Sequence, residues 1–459
     1  MKYLLAATML LALACARDPS AAAGGPKRVV FVLVDTLRYD HLGRAGDPRG
    51  LTPRLDALAA DGAWFPHALA ASSWTRPSVT SMFTGLHPGS HGVEDGDDGL
   101  APDLPTLAQL LAASGVNCLA VSANANGGRA FGLDRGFAEF RVPLERRGYP
   151  DDFEKVPGDV VIKKGLELLE QVGERESFFL FLHMIDPHDP YLEHPGLLGG
   201  DGPPGRFAGS RRDLKRLGTA DPAALTEDDY ERIRWLYAGE VRFADQCIGE
   251  LLDALAARGW LDDTLMIVTS DHGEELWNHG RRAHGQSLYQ ELVHVPLILR
   301  PPPALGLGGR TVERLAHHVD LMPTILSYFG VPAPLGIAGA DLMPAVAGAA
   351  LEAPTFVVSQ LQHEGVTLEC ATDFRLKRIL EPVPAAGAPR EELYDLAADP
   401  GEQSPLHDPP PARFAALREF HSGMLARIAR ARVEGVTLPW AELGEDVRAE
   451  LAGLGYAGD

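Results

Sequence analysis

Residues 29–36 read Val29-Val30-Phe31-Val32-Leu33-Val34-Asp35-Thr36, six apolar residues in unbroken succession and then an acid. A strand with one face in water would alternate in polarity, so an unbroken apolar run with an abrupt polar end predicts a strand buried on both faces of a largely parallel sheet. Two other segments repeat the pattern. Leu180-Phe181-Leu182-His183-Met184-Ile185 leads into Asp186-Pro187-His188-Asp189-Pro190-Tyr191, and Leu265-Met266-Ile267-Val268-Thr269-Ser270 leads into Asp271-His272-Gly273-Glu274. Ligand sites assemble at the carboxyl ends of strands in open parallel sheets. Three strand ends built alike therefore predict one shared site.

Outward from these runs, strands are expected at Val29–Val34, Asn117–Ser122, Phe178–Met184, Thr264–Thr269 and Val295–Arg300. They alternate with helical stretches at Pro53–Asp61, Leu104–Ser114, Glu227–Arg258 and around Leu321–Phe329, where Pro53 after Thr52 suits a helix start. The alternation predicts an α/β fold, a large mixed, mostly parallel sheet sandwiched by helices. After a boundary near Ala345–Pro354 come short strand-like pieces, Thr355–Ser359, Val366–Ala371 and Phe374–Leu380, and a helical stretch, Pro409–Arg432. These predict a smaller C-terminal antiparallel sheet plus helix, dividing the chain into a catalytic domain over 26–348 and a C-terminal subdomain over 349–459. Between Gly196 and Thr226 the composition turns to Gly, Pro, Arg and Asp without periodicity, which reads as a surface insertion or lid.

Lys and Arg total 42 against 63 for Asp and Glu, a formal charge of −21, which opposes general affinity for nucleic acid or anionic lipid. The first residues, Met1-Lys2-Tyr3 and an apolar run from Leu4 to Ala14, have the layout of a secretory signal and are too short to span a bilayer. Ala12-Leu13-Ala14-Cys15 resembles a bacterial lipoprotein cleavage box, in which Cys15 would be lipidated; ordinary cleavage nearby and a retained apolar segment are the alternatives. The expectation is an exported protein of the bacterial periplasm, or a lipoprotein attached to the outer membrane through Cys15, with residues 1–25 as leader and linker. Cys118, Cys247 and Cys370 are widely spaced and odd in number, so buried free thiols are expected.

A fourth segment carries chemistry: Trp74-Thr75-Arg76-Pro77-Ser78-Val79-Thr80-Ser81-Met82-Phe83-Thr84-Gly85. Pro77 suits a first helical turn, so Thr75 is expected just before a helix N-terminus, where free backbone N–H groups and the helix dipole favour an anion; an ordinary N-cap is the alternative.

Taken together, these segments resemble the sulfatase family of the alkaline phosphatase superfamily over nearly the whole chain. Val34-Asp35-Thr36-Leu37-Arg38-Tyr39-Asp40-His41-Leu42-Gly43 is similar to the family's opening metal motif, and Leu51-Thr52-Pro53-Arg54-Leu55-Asp56 to the segment that follows it. Pro77-Ser78 with Phe83-Thr84-Gly85-Leu86-His87-Pro88 resembles the helix after the nucleophile. Ser270-Asp271-His272-Gly273-Glu274 resembles the second metal motif, and Glu392-Leu393-Tyr394-Asp395-Leu396 with Asp399-Pro400 the C-terminal signature. The resemblance implies an alkaline phosphatase-like fold and hydrolysis of sulfuric or phosphoric esters.

The departures from the family are specific. Thr75 stands where sulfatases carry the Cys or Ser that is oxidised to formylglycine, and Val79 replaces the Arg of that motif. Oxidation of a threonine would give a ketone instead of the aldehyde, so formylglycine is not expected. Threonine is the nucleophile in sister branches of the superfamily, where one acid, the Thr and an Asp-His pair hold a divalent cation. Asp35, Thr75, Asp271 and His272 match that set residue by residue. Thr36 occupies the place of a second Asp, and its membership of the set is left open. One divalent ion is implied, with Mn²⁺, Mg²⁺ or Zn²⁺ favoured over Ca²⁺ because the set has one Asp fewer than a calcium sulfatase and an added imidazole.

His188 resembles the family histidine that contacts the ester or leaving group, and His284 falls where many sulfatases have a sulfate-binding Lys; either suits a general acid or an anion donor. Asn124 and Asn126 lie near a Lys/His pair of arylsulfatases that has no counterpart here. Arg76 reads as an anion contact or a solvated loop residue, His183 as a residue inside the sheet with a core or supporting role, Lys377 as structural, and Glu274 as a supporting or helix-start acid. The expected reaction is hydrolysis of a sulfate, phosphate or phosphonate ester, on a small molecule or on a glycan or lipid, through a Thr75 covalent intermediate. Two other readings fit the same residues: a transferase passing a phospho-group to an envelope lipid or glycan, and a non-catalytic binding protein that kept the fold.

Overall fold

The fold is described from a computed structural model. It covers residues 25–143, 155–200, 202–209, 225–349, 354–382, 388–407, 412–445, 447–448 and 451. The leader with Cys15 lies outside the described residues, as does most of the insertion between Gly196 and Thr226.

Eight strands form the main sheet, in the order Arg310–Thr311, Ala63–Phe65, Leu297–Arg300, Thr264–Ser270, Arg28–Val34, Phe178–Met184, Asn117–Ser122 and Glu139–Arg141. Arg28–Val34 lies at its centre, parallel to both neighbours, with Val34 in register with Met184 on one side and Ser270 on the other. That register brings the chemistry-bearing strand ends to one edge: the residues that follow are Asp35, Ile185-Asp186 and Asp271. Leu297–Arg300 runs antiparallel to both of its neighbours, which makes the sheet mixed.

Every residue of Arg28–Val34 is buried, as the unbroken apolar run requires, and its side chains alternate between two cores. Val29, Phe31 and Leu33 face one layer, with Val79, Met82 and Phe83 of the Thr75–Thr84 helix and Leu321, Met322 and Ile325 of the Leu321–Phe329 helix. Val30, Val32 and Val34 face the other, with Leu55 of Pro53–Asp61, Val161 of Gly158–Leu169 and Ile248 of Glu227–Ala257. The sheet is thus a three-layer sandwich, as expected.

The C-terminal part is a four-stranded antiparallel sheet, Val357–His363, Val366–Thr372, Leu376–Glu381 and Arg390–Asp395, with the helix Ala415–Arg430. One face packs with Leu417 and Ile428 of that helix, and the other contributes Leu361, Cys370 and Tyr394 to the first core of the main sheet. Its fourth strand, the stretch read only as a signature motif, is hidden in the sequence by Arg390, Glu391 and Glu392 on the exposed side.

Several boundaries shift for local reasons. The expected helix Leu104–Ser114 begins at Leu107, because Thr106 and Gln109 form a capping box that fixes the start. The C-terminal helix begins at Ala415 instead of Pro409, after a short 3₁₀ turn at Ala412–Phe414. Gly158–Leu169 is a helix that the strand-helix alternation left unassigned. Cys118, Cys247 and Cys370 are buried free thiols, as read.

Candidate active site

The Thr75–Thr84 helix starts at the nucleophile position itself, with extended Trp74 as its N-cap, and all ten of its residues are buried. Thr75 Oγ1 lies 3.3 Å from His272 Nε2 and accepts from Asn124 Nδ2 at 3.3 Å. His272 Nε2 is 3.4 Å from Asp271 Oδ2 and 4.0 Å from Asp35 Oδ1. The fold therefore brings Asp35, Thr75, Asp271 and His272 together from two strand ends and a helix start.

The tautomer of His272 follows from its second nitrogen. Nδ1 donates to the Gly273 carbonyl at 2.8 Å, leaving the Nε2 lone pair facing the carboxylates and Thr75, the arrangement typical of a metal-ligating histidine. Burial keeps this imidazole below its ordinary pKa and hence neutral.

Asp35 is oriented from behind. Its Oδ2 accepts from Asn124 Nδ2 at 2.6 Å and from His183 Nε2 at 3.1 Å, while Oδ1 is buried without a hydrogen-bond partner among the described residues. Burial opposes its charge, but the His183 hydrogen bond and then the charge of His188 outweigh it and hold the carboxyl well below the usual range. Asp271 spends Oδ1 on the backbone N–H groups of Thr36 (3.2 Å) and His272 (2.9 Å), and its buried Oδ2 has no close hydrogen-bond partner among the described residues. Burial and then the charge of Asp35 push Asp271 up. Two buried acids facing each other, each with one oxygen uncompensated, call for a cation between them. Ligand atoms of Asp35, His183 and Asp271 lie within 4.8 Å of one another, a group able to hold a metal ion.

Thr36, the open member of the set, has φ of 55°, rare for a β-branched residue, and a buried Oγ1 without a hydrogen-bond partner among the described residues. Its carbonyl accepts from Tyr237 at 2.6 Å and its N–H from the same turn binds Asp271, so the strained turn is held from both sides.

The two remaining candidates meet across the site. The rings of His188 and His284 are 5.0 Å apart, and those of His284 and His272 4.4 Å. His284 Nδ1 bonds Glu274 Oε1 at 2.9 Å, which gives Glu274 a supporting position. Burial, then the charge of His188, push His284 down to about 4, while burial pushes Glu274 up to about 7. His188 Nδ1 lies 2.7 Å from the Asp189 carbonyl and 3.0 Å from its carboxylate, and Nε2 has no hydrogen-bond partner among the described residues. Burial opposes a charge on His188, but Asp189, Asp35 and Glu274 outweigh it and push the imidazole up to about 10.

Arg76 corrects both sequence readings. It is buried, donates to the backbone of Asp95, Gly96 and Asp98 and to Asn126 Oδ1 (2.8 Å), and lies 3.4 Å over the Phe131 ring. The side chain clamps a loop because the helix start turns it away from solvent into that wall. Lys377 is structural, paired with Glu402 at 2.8 Å. Asn124, noted in the sequence only for what it replaces, is the residue whose amide touches both Asp35 and Thr75; a lone Asn in a loop gives no signal of this.

Comparison with known proteins identifies the family. The family model described as Sulfatase matches residues 27–331. An ulvan-active sulfatase of Formosa agariphila is 26% identical over 352 residues, which span 68% of this chain and 64% of that protein. An N-acetylglucosamine-6-O-sulfatase of Bacteroides thetaiotaomicron is 23% identical over 488 residues, 86% of this chain and 85% of that one. Among solved structures, the phosphonate monoester hydrolase of Agrobacterium radiobacter superposes with a TM-score of 0.71 at 22% identity, covering 88% of this chain and 96% of that one, a likeness of fold. With the family model matched over most of the chain, on a sheet of the expected kind, the chain belongs to the sulfatase family of hydrolases.

Proposed function

We propose that this protein hydrolyses sulfate, phosphate or phosphonate esters by attack of Thr75 Oγ1, in a pocket that holds one divalent cation between Asp35, Asp271 and His272. The observation that carries the reading is the placement of Thr75 Oγ1 3.3 Å from the His272 lone pair, beside two buried carboxylates with uncompensated oxygens. A cation bound there would lower the pKa of the threonine hydroxyl and neutralise charge on the ester oxygens. The ligands are oxygen and imidazole donors, which favours Mn²⁺, Mg²⁺ or Zn²⁺. His183 and Asn124 keep Asp35 oriented.

In the reaction, the bond from Thr75 Oγ1 to sulfur or phosphorus forms as the ester oxygen leaves, and the Thr75 hydroxyl proton is lost to solvent. His188, whose buried Nε2 has no hydrogen-bond partner among the described residues and whose imidazolium is stabilised by Asp189, hands the leaving oxygen a proton. His284 lies between His188 and His272 as a donor to the ester oxygens. Water then attacks the threonine ester at sulfur or phosphorus, since a threonine adduct lacks the collapse route open to a formylglycine hydrate; the water gives a proton back to His188, and the Thr75 oxygen leaves and is reprotonated from solvent. Phosphorus esters are therefore at least as good substrates as sulfates. Relatives named for ulvan and N-acetylglucosamine 6-sulfate support a glycan or small-molecule ester as the substrate. The signal-like first residues, with Cys15 as lipidation site, support an exported protein of the periplasm or outer membrane.

The test is turnover of p-nitrophenyl sulfate, phosphate mono- and diesters and a phosphonate monoester by protein reloaded with Mn²⁺, Mg²⁺, Zn²⁺ or Ca²⁺, beside Thr75→Ala. Phosphorus-ester turnover that vanishes in the variant supports the proposal. Turnover that survives Thr75→Ala overturns it, and sulfate-only turnover overturns the expectation that phosphorus esters are at least as good substrates.

A further inference from the structure

Three buried charged side chains stand behind His188 and touch nothing at the nucleophile. Lys155 precedes the Gly158–Leu169 helix, Asp186 follows the Phe178–Met184 strand, and Glu240 lies within the long Glu227–Ala257 helix. Lys155 Nζ donates to the His188 carbonyl at 2.7 Å and lies 3.1 Å from Asp186 Oδ1 and 2.9 Å from Glu240 Oε2, with no side chain of the three more than 1% exposed. The carboxylates reach further. Asp186 Oδ2 accepts from the Gly158 N–H at 2.6 Å, Glu240 Oε1 from the Leu192 N–H at 2.5 Å, and His194 Nε2 lies 3.4 Å from Glu240 Oε2. The segment 186–194 is thereby tied down at its first residue, at His188, at Leu192 and at His194.

Stability alone does not account for such a cluster. Taking an ammonium and two carboxylates out of water is costly, and well-packed apolar side chains of similar volume commonly serve a fold as well or better. An ion cluster adds direction, and here the direction is onto one backbone carbonyl, that of His188. The His188 ring is itself buried, and its reach into the pocket is set by its backbone, because Nδ1 is already fixed on Asp189. Geometry at this position matters, since a misplacement of about 1 Å in a reacting group can cost on the order of 10²-fold in rate.

We infer that Lys155, with Asp186 and Glu240 as its counter-charges, is a positioning residue that holds the His188 imidazole in register with Thr75. The inference rests on the role given to His188 above. It has a signature that a structural role lacks: the contribution of Lys155 to turnover passes through His188 and disappears when the imidazole is removed.

The experiment is a double-mutant cycle on the metal-reloaded full-length protein, using Lys155→Met, His188→Ala and the pair, each assayed with an activated aryl ester and a less activated alkyl ester of the same acid. Lys155→Met is expected to lower kcat about 10–100-fold, more for the alkyl ester, while KM changes less than about 2-fold. In the His188→Ala background it is expected to add less than about 2-fold. Full additivity, with the same factor in both backgrounds, overturns the inference and leaves Lys155 a structural residue. A His188→Ala variant with unchanged kcat on both esters sinks instead the leaving-group role of His188, and the inference with it. If Lys155→Met fails to fold, as judged by its melting curve, Asp186→Asn replaces it in the same cycle with the same expected and overturning results.

Discussion

Two groups of carboxylates around a histidine occur in this chain, one gathered from distant segments and one from a single stretch, and they differ in how their hydrogen bonds are used. Glu275, His279 and Glu291 bring ligand-type atoms within 4.8 Å of one another, as Asp35, His183 and Asp271 do. In the first group His279 is used at both nitrogens, Nδ1 at 2.5 Å from Glu291 Oε1 and Nε2 at 3.0 Å from the Glu402 carbonyl. Nε2 also lies 3.2 Å from Gln403 Nε2. Burial opposes a charge on the ring, and the hydrogen bond and charge of Glu291 outweigh it and raise the pKa. Glu275 accepts from Ser287 at 2.9 Å and burial pushes it up to about 7. That group straps the loop around His279 to the segment at Glu402, with Glu275 Oε2 left without a hydrogen-bond partner among the described residues. Beside Thr75, by contrast, the His272 ring turns a lone pair inward, towards two acids that each keep an oxygen without a hydrogen-bond partner among the described residues. The same residue types make a strut in one place and, in the function proposed above, a cation pocket in the other. The orientation of the imidazole decides between them.

The largest effect that would sharpen this contrast is loss of the nucleophile. Thr75→Ala is expected to lower kcat/KM by about 10³-fold or more with an unchanged melting temperature, read by steady-state kinetics beside a thermal scan. Next comes the cation. Asp271→Asn is expected to empty the site of metal and lose turnover, whereas Glu275→Gln should retain both, as measured by elemental analysis and kcat; equal metal loss in the two would erase the distinction. His183→Ala removes one of the two groups that orient Asp35, so metal affinity should fall by about 10–100-fold, seen by titration with Mn²⁺ or Zn²⁺.

The smallest effect is on stability against pH. His87 is pushed down to about 4 by burial and then Arg427, and His318 down to about 3 by burial; both are kept neutral in the fold. Their unfolded pKa near 6.5 lies above the folded value, so below about pH 6.5 the unfolded chain takes up protons that the folded chain does not. Stability should be full above that pH and fall by up to about 1.4 kcal/mol per group for each pH unit towards pH 4. A urea midpoint as high at pH 5 as at pH 7.5 would contradict this.

Legibility in the sequence followed the range of the forces involved. Arg28–Val34 and Phe178–Met184 could be read because burial on both faces forces an unbroken apolar run, and Pro53–Asp61 because Thr52-Pro53 starts a helix locally. Arg390–Asp395 escaped because an edge strand of the small sheet need not be apolar. His183 reads in the sequence as an interior residue with a core or supporting role, without the group it supports. Its meaning comes from Asp35, 148 positions away, which no local pattern encodes.

The sequence by itself determined the central strands, the acids at their ends, the helix start at Thr75 and, through their order, the family. Each depends on the periodicity, capping or identity of neighbouring residues. Tertiary structure alone decided that His272 faces inward while His279 is used up, that Asn124 bridges Asp35 and Thr75, and that Lys155 grips the carbonyl of His188. These are questions of where a nitrogen points, and the answer is set by partners tens to hundreds of residues away, whose approach only the closed sheet fixes.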